Sequence, residues 1–350
     1  MADFDFDYDL LVELTEVHGA PGYEQNVRDV VRRELEETVD RVDSDAMGNV
    51  VGTVEGDAEY EVVVAAHMDE IGFMVRHVDD DGFLAIDPLG GWDPEVLRAE
   101  RVTVQTEEGE LPGVIGSVPP HSGGEDGDEE RDVHDVRVDL GLSAREARRR
   151  VEVGDVVTMS QRTEPLGDCV SGKSIDNRVS VFAMLELARR VDDPEVTVHF
   201  VATVQEEVGL RGAQTIGVDL DPDLALALDT TVANDLSDFE EYDYVTELGD
   251  GVAIKLKDSS VITNRKVHRR LRAVADAEGL PYQFEVLPAG GTDTGGLQRA
   301  HGSVPVGAVS VPTRYLHTPT EVAHGDDITG AIELTAAFLD SEDGSHDYTL

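Results

Sequence analysis

Val-Val-Val-Ala-Ala-His-Met-Asp-Glu, residues 62–70, decides the fold. The run Val62–Ala66 reads as a buried strand that ends abruptly in an imidazole, His67, and a carboxylate, Asp69. Three more apolar runs follow the same plan. Val196–Val204 leads into Glu206 and Glu207, Leu224–Leu228 into Asp229, and Val304–Val311 is followed by His317. Polar groups set just past the ends of buried strands converge at the carboxyl edge of an open α/β sheet, where such folds bind ligands.

The intervening segments supply the helices. Residues 9–40 read as helical, with Val27, Val30, Val31 and Leu35 at helical spacing. Asp176–Val191 places Val181, Met184, Leu185 and Ala188 on one face, and Asn264–Glu278 and Asp326–Leu339 read as further helices. Asn49–Val54 and Tyr282–Leu287 read as strands and Asp293–Arg299 as a short helix. Alternating strands and helices imply an α/β domain with a mostly parallel sheet and helices on both faces. From about Ile71 to Leu166 the character changes to short β-like runs broken by Gly and Pro, with a helical pattern only near Ala144–Arg150. We therefore expect an α/β domain of residues 1–70 and 167–350, interrupted by a β-rich insert of residues 71–166. Within the insert, residues 121–131 form an acidic low-complexity stretch that reads as a mobile loop.

The net charge of the 350 residues is -46, with acids spread along the whole chain. Such a chain repels phosphate backbones and anionic lipid, which argues against nucleic-acid and membrane partners. The only lysines are Lys173, Lys255, Lys257 and Lys266. An acidic, lysine-poor globular chain reads as adapted to high salt, where counterions screen self-repulsion. Cys169 is the single cysteine, and the N-terminal residues carry neither a basic nor an apolar leader pattern, so a cytoplasmic location is expected.

Each polar station has a plain structural explanation when taken alone. Asp176, ahead of a helix, can be a cap. Glu206 and Glu207 can be a solvated pair, and His317 a surface residue. Together they form a mixed nitrogen and oxygen set that favours zinc or a similar divalent ion, with cobalt also fitting. Neighbouring residues of an extended chain point in opposite directions, so one of Glu206 and Glu207 can ligate while the other serves as a base. His67 with Asp229, Glu207 with His317, and Asp176 shared would give each of two cations three protein ligands. Asp69 can orient His67. A pair of ions about 3.5–4 Å apart suits amide hydrolysis. A glycosidase needs only two carboxylates and a deacylase or carboxypeptidase could use the same metal pair, so these remain rival readings. A shell that has lost catalysis and an acidic nucleic-acid mimic are the non-enzymatic ones.

The sequence also resembles the tetrahedral (TET) aminopeptidases, a family of dinuclear metallopeptidases. The segments that carry the resemblance are 65–72 (Ala-Ala-His-Met-Asp-Glu-Ile-Gly), 90–94 (Gly-Gly-Trp-Asp-Pro), 171–178 (Ser-Gly-Lys-Ser-Ile-Asp-Asn-Arg), 205–213, 227–231, 290–293 (Gly-Gly-Thr-Asp) and 314–319 (Arg-Tyr-Leu-His-Thr-Pro). The resemblance implies a hydrolase-like α/β fold of the zinc-peptidase type, with the insert as a PDZ-like dimerisation domain. It implies His67, Asp176, Glu207, Asp229 and His317 as ligands of two ions, Asp176 bridging, Glu206 as general base, Asp69 orienting His67, and Gly291 lining the substrate site. It further implies action on the N-termini of short peptides and assembly of dimers into a dodecameric tetrahedron.

Overall fold

The strand that ends in His67 lies at the centre of an eleven-stranded sheet in the structure, a computed structural model that describes residues 4–117 and 132–350. It spans Ala58–His67 and pairs in parallel with Val196–Thr203 on one side and Leu224–Val232 on the other. Leu224–Val232 pairs in parallel with Val306–Arg314. These four strands bring the polar stations to one edge. Their side chains divide between two cores. Val62, Val64 and Ala66 pack on the face that carries the helices Tyr8–Glu16, Gln25–Glu36, Ile175–Ala188, Arg265–Glu278 and Gly325–Asp340. Val63 and Ala65 face the opposite core with Ala213, Ile216 and Leu297, from the helices Arg211–Asp219 and Thr294–Leu297. Burial on both faces is why the run is continuously apolar rather than alternating.

The sheet is mixed, and the expectation of a mostly parallel one is corrected. Parallel pairing holds in the centre and between Val252–Lys257 and Tyr282–Val286. The flanks, from Arg41–Ser44 through Val50–Val54 and from Glu321–His324 to Glu164–Leu166, pair antiparallel. Val50–Val54 is among the expected strands, but the other flanking strands are three or four residues long and carry no apolar run, so periodicity gives no sign of their antiparallel pairing. The single helical reading of residues 9–40 is corrected too. Helices Tyr8–Glu16 and Gln25–Glu36 are separated at Pro21 and Gly22, and the latter adopts φ +84°. The first helix already ends where Val17 turns extended, and Pro21 with the left-handed Gly22 keeps the chain from resuming it before Gln25.

Residues Gly72–Val78, Leu84–Leu89, Arg137–Asp139, Gly109–Ile115, Arg101–Thr106 and Val156–Met159 pair, in that order, as a small closed barrel. Its own core holds Phe73, Val75, Leu84, Ile86, Val104, Val138 and Val157. The acidic stretch 121–131 lies outside the described residues. No helix among those described is long and apolar enough to cross a membrane.

Candidate metal centre

Two buried polar locks bring segments 67–70 and 173–178 together. Glu70 accepts from Lys173 Nζ at 2.7 Å and from the Ser174 hydroxyl at 2.6 Å. Burial alone would push the Glu70 carboxyl up, but Lys173 and Arg178 hold it below its usual value. The fully buried guanidinium of Arg178 donates to the carbonyls of Met68, Leu14 and Val17. Asn177 donates from its side-chain amide to the Leu228 carbonyl at 3.0 Å, fixing this segment beside the strand of Asp229. Asp176 and Asn177 depart from helical φ/ψ at the start of Ile175–Ala188, so Asp176 is not a simple cap. Asp229 lies inside its strand, which continues to Val232, and not past its end as the apolar run implied.

The result is one cluster. His67 Nε2 lies 3.4 Å from Asp176 Oδ1 and 3.7 Å from Asp229 Oδ1. His317 Nε2 lies 3.5 Å from Asp176 Oδ2 and 3.4 Å from Glu207 Oε2. The two oxygens of Asp176 thus face different imidazoles. Glu206 Oε2 is 3.9 Å from His67 Nε2. Among the described residues, three groups bring ligand atoms within 4.8 Å of one another: His67, Asp176 and Asp229; Asp176, Glu207 and His317; and His67, Glu206 and Glu207. The first two share Asp176. Gly291 lines the cavity into which the cluster opens.

The residues present fit a cation. Ligand atoms about 2.0–2.2 Å from a tetrahedral ion stand roughly 3.3–3.6 Å apart. The four imidazole–carboxylate distances fall at or close to that separation and are too long for good hydrogen bonds. Asp176 Oδ1 is buried with no hydrogen-bond partner, an expensive state unless an ion satisfies it. Crowding and burial shift the acidities of these groups. Burial, with Glu207 and Asp229 nearby, pushes the Glu206 carboxyl well up. Burial pushes Glu207 up to about 7. Burial likewise pushes Asp229 well up, with Asp176 adding to it. Burial opposes a charged His67, yet Glu206, Asp176, Asp69 and Asp229 raise it well above its usual value. So many acids in a dry site call for positive charge.

The partners of the other ring nitrogens are informative. His67 Nδ1 lies 3.1 Å from the main-chain carbonyl of Asp69, while the Asp69 carboxylate is 3.6 Å away. That carboxylate instead accepts the main-chain N–H groups of Glu206 at 2.9 Å and Glu207 at 3.1 Å. Asp69 therefore orients His67 chiefly through its backbone and holds the tandem acids through its side chain. His317 Nδ1 faces the Gly91 carbonyl at 2.8 Å.

Sequence reasoning missed Glu321. Its Oε2 accepts the main-chain N–H of Asp176 at 2.9 Å and its Oε1 that of His317 at 2.8 Å. One buried carboxylate thereby ties together two segments 141 residues apart. Asp293 was quoted in a motif but given no role. It is buried, accepts from the Thr203 hydroxyl, and keeps Oδ1 unpartnered.

Comparison with known proteins agrees with this architecture. A family profile described as M42 glutamyl aminopeptidase matches residues 48–334. The chain is 35% identical over 341 residues to the lysyl aminopeptidase of Pyrococcus furiosus, covering 95% of this chain and 97% of that protein. It is 31% identical over 345 residues to the glutamyl aminopeptidase of Lactococcus lactis, covering 95% and 96%. The solved structure of the TET1 peptidase of Pyrococcus horikoshii, which can assemble into a tetrahedron or a large octahedral shell, superposes with a TM-score of 0.88 at 32% identity, covering 96% of this chain and 99% of that one. The chain is a TET-type aminopeptidase and belongs to the M42 glutamyl aminopeptidase family.

Proposed function

We propose that this aminopeptidase works with two divalent cations and removes residues from the N-termini of short peptides. His67 and Asp229 would hold one ion and Glu207 and His317 the other, with Asp176 shared between them. Zinc suits the donor set, and cobalt fits it as well. The observation that carries this reading is the Asp176 carboxylate, whose two oxygens face two different imidazoles at 3.4 and 3.5 Å.

When bound, such ions polarise a carbonyl oxygen and make water more acidic. The work of the chain is then positioning and proton transfer. Glu206 takes a proton from the attacking water and delivers it to the leaving amine. Burial supports that role, because it keeps the carboxyl basic enough to accept the proton. Asp69 fixes the carboxylate's approach by holding the Glu206 N–H. Glu206→Gln should retain metal and lose about 10²–10⁴-fold in turnover. Near-wild-type turnover would remove Glu206 from the role of base.

We further propose that the barrel within the 71–166 insert, whose strands end at Met159, acts as a PDZ-like dimerisation unit, that dimers build a tetrahedral dodecamer, and that the enzyme works in a salt-rich cytoplasm without nucleic-acid or membrane partners. Salt adaptation is supported by the -46 charge and by the fate of the lysines, since two of four, Lys173 and Lys255, are buried in ion pairs. Sedimentation over a salt series tests this. Assembly should weaken as salt is removed, and an assembly indifferent to salt would contradict it.

A further inference from the structure

We infer that the recess beside the cluster selects uncharged aliphatic N-terminal residues, so that this chain prefers leucyl over glutamyl and lysyl substrates. The inference rests on the proposed site, which puts the scissile carbonyl against the His67–Asp176–His317 end of the cavity. The side chain of the N-terminal residue branches one atom from that carbonyl. It must enter the remainder of the same cavity, which has a volume of about 650 Å³.

That remainder is lined by Leu210, Val232, Ser260, Leu287, Ala289 and Leu316. Beyond the cluster itself no lining residue among those described is ionisable. The charges behind these walls are already taken. Lys255 is fully buried, with its ammonium on Glu285 and 3.5 Å from Asp258. Asp258 accepts the N–H groups of Ser260 and Val261 and the hydroxyls of Ser260 and Thr292. Lys257 holds the Leu287 N–H through its own carbonyl but does not line the cavity.

A leucyl side chain entering this recess sheds apolar surface from water. A glutamyl carboxylate or lysyl ammonium gives up hydration and meets no counter-charge. The chain's own field repels the glutamyl substrate and attracts the lysyl one, because a strongly acidic protein favours cations over anions near it. Concentrated salt screens both effects and leaves the recess to decide.

The test is a panel of leucyl-, lysyl- and glutamyl-p-nitroanilide with the full-length protein in concentrated KCl, each with and without prolonged chelation. We expect kcat/KM for the leucyl substrate to exceed that for the glutamyl one by on the order of 100-fold, with the lysyl substrate between them. A glutamyl or lysyl substrate hydrolysed as well as the leucyl one overturns the inference. Turnover that survives chelation overturns the metal reading instead, so the two failures are separable. Leu287→Lys adds the missing cation at the recess. It should raise the glutamyl-to-leucyl ratio of kcat/KM about tenfold, and an unchanged ratio in a variant that still cleaves the leucyl substrate counts against the recess as the selector.

Discussion

The two halves of the cluster are built differently. The His67 half is deep. His67 closes a central strand, its side chain is 2% exposed, and Asp229 sits on the neighbouring strand. The His317 half is shallow. His317 lies on a turn with φ +59°, its side chain is 38% exposed, and its ring is steadied by Gly91, from the loop that follows a barrel strand. A left-handed conformation in a non-glycine residue is uncommon and needs holding in place. Here Glu321 does the holding. Regular sheet geometry fixes the His67 half, while the His317 half depends on a few hydrogen bonds to loops. Asp176 faces the imidazoles of both halves.

That contrast can be broken most severely at Asp176. Asp176→Ala should abolish turnover and leave at most one weakly held ion per chain, as read by equilibrium dialysis and elemental analysis. Two tightly held ions in this variant would end the shared-ligand account. Next, His317→Ala should cost one ion and keep the fold, whereas His67→Ala should disturb the deep half and lower thermal stability as well. Equal effects from the two would erase the distinction. In the wild-type protein graded chelation should remove ions in two steps, the shallow one first. A single cooperative loss would show that exposure does not set the order. Glu321→Gln keeps one good acceptor and should weaken the shallow ion by about 10–100-fold, a change visible in cobalt(II) absorption spectra during titration. The smallest effect is expected from Gly91→Ala. A Cβ there would stand 3.3 Å from His317 Nδ1, so cobalt affinity should fall by no more than about tenfold.

The difference between the halves also governs what could be read without the structure. His67 was legible because a buried strand ending in an imidazole is an unusual thing to write in sequence. Glu206, Glu207, Asp229 and His317 follow from the same strand-end pattern and the resemblance adds their roles; the structure brings His67, Asp176, Glu206, Glu207, Asp229 and His317 together. Asp229 was misjudged in one respect: its strand runs on through Thr230 and Thr231, because threonine is at home in a strand. Glu321 was invisible. It acts on main-chain N–H groups of Asp176 and His317, and no spacing or periodicity announces a partner of that kind. The second role of Asp69 escaped for the same reason. Of the antiparallel flanks only Val50–Val54 is legible as a strand; the others are three or four residues long and lack a distinctive pattern.

The most direct test of the central claim is a crystal of the protein loaded with zinc, measured on both sides of the zinc absorption edge. The account predicts two anomalous peaks, one on each side of the Asp176 carboxylate, the first against His67 and the second against His317. A single peak, or peaks that Asp176 does not touch, would contradict it.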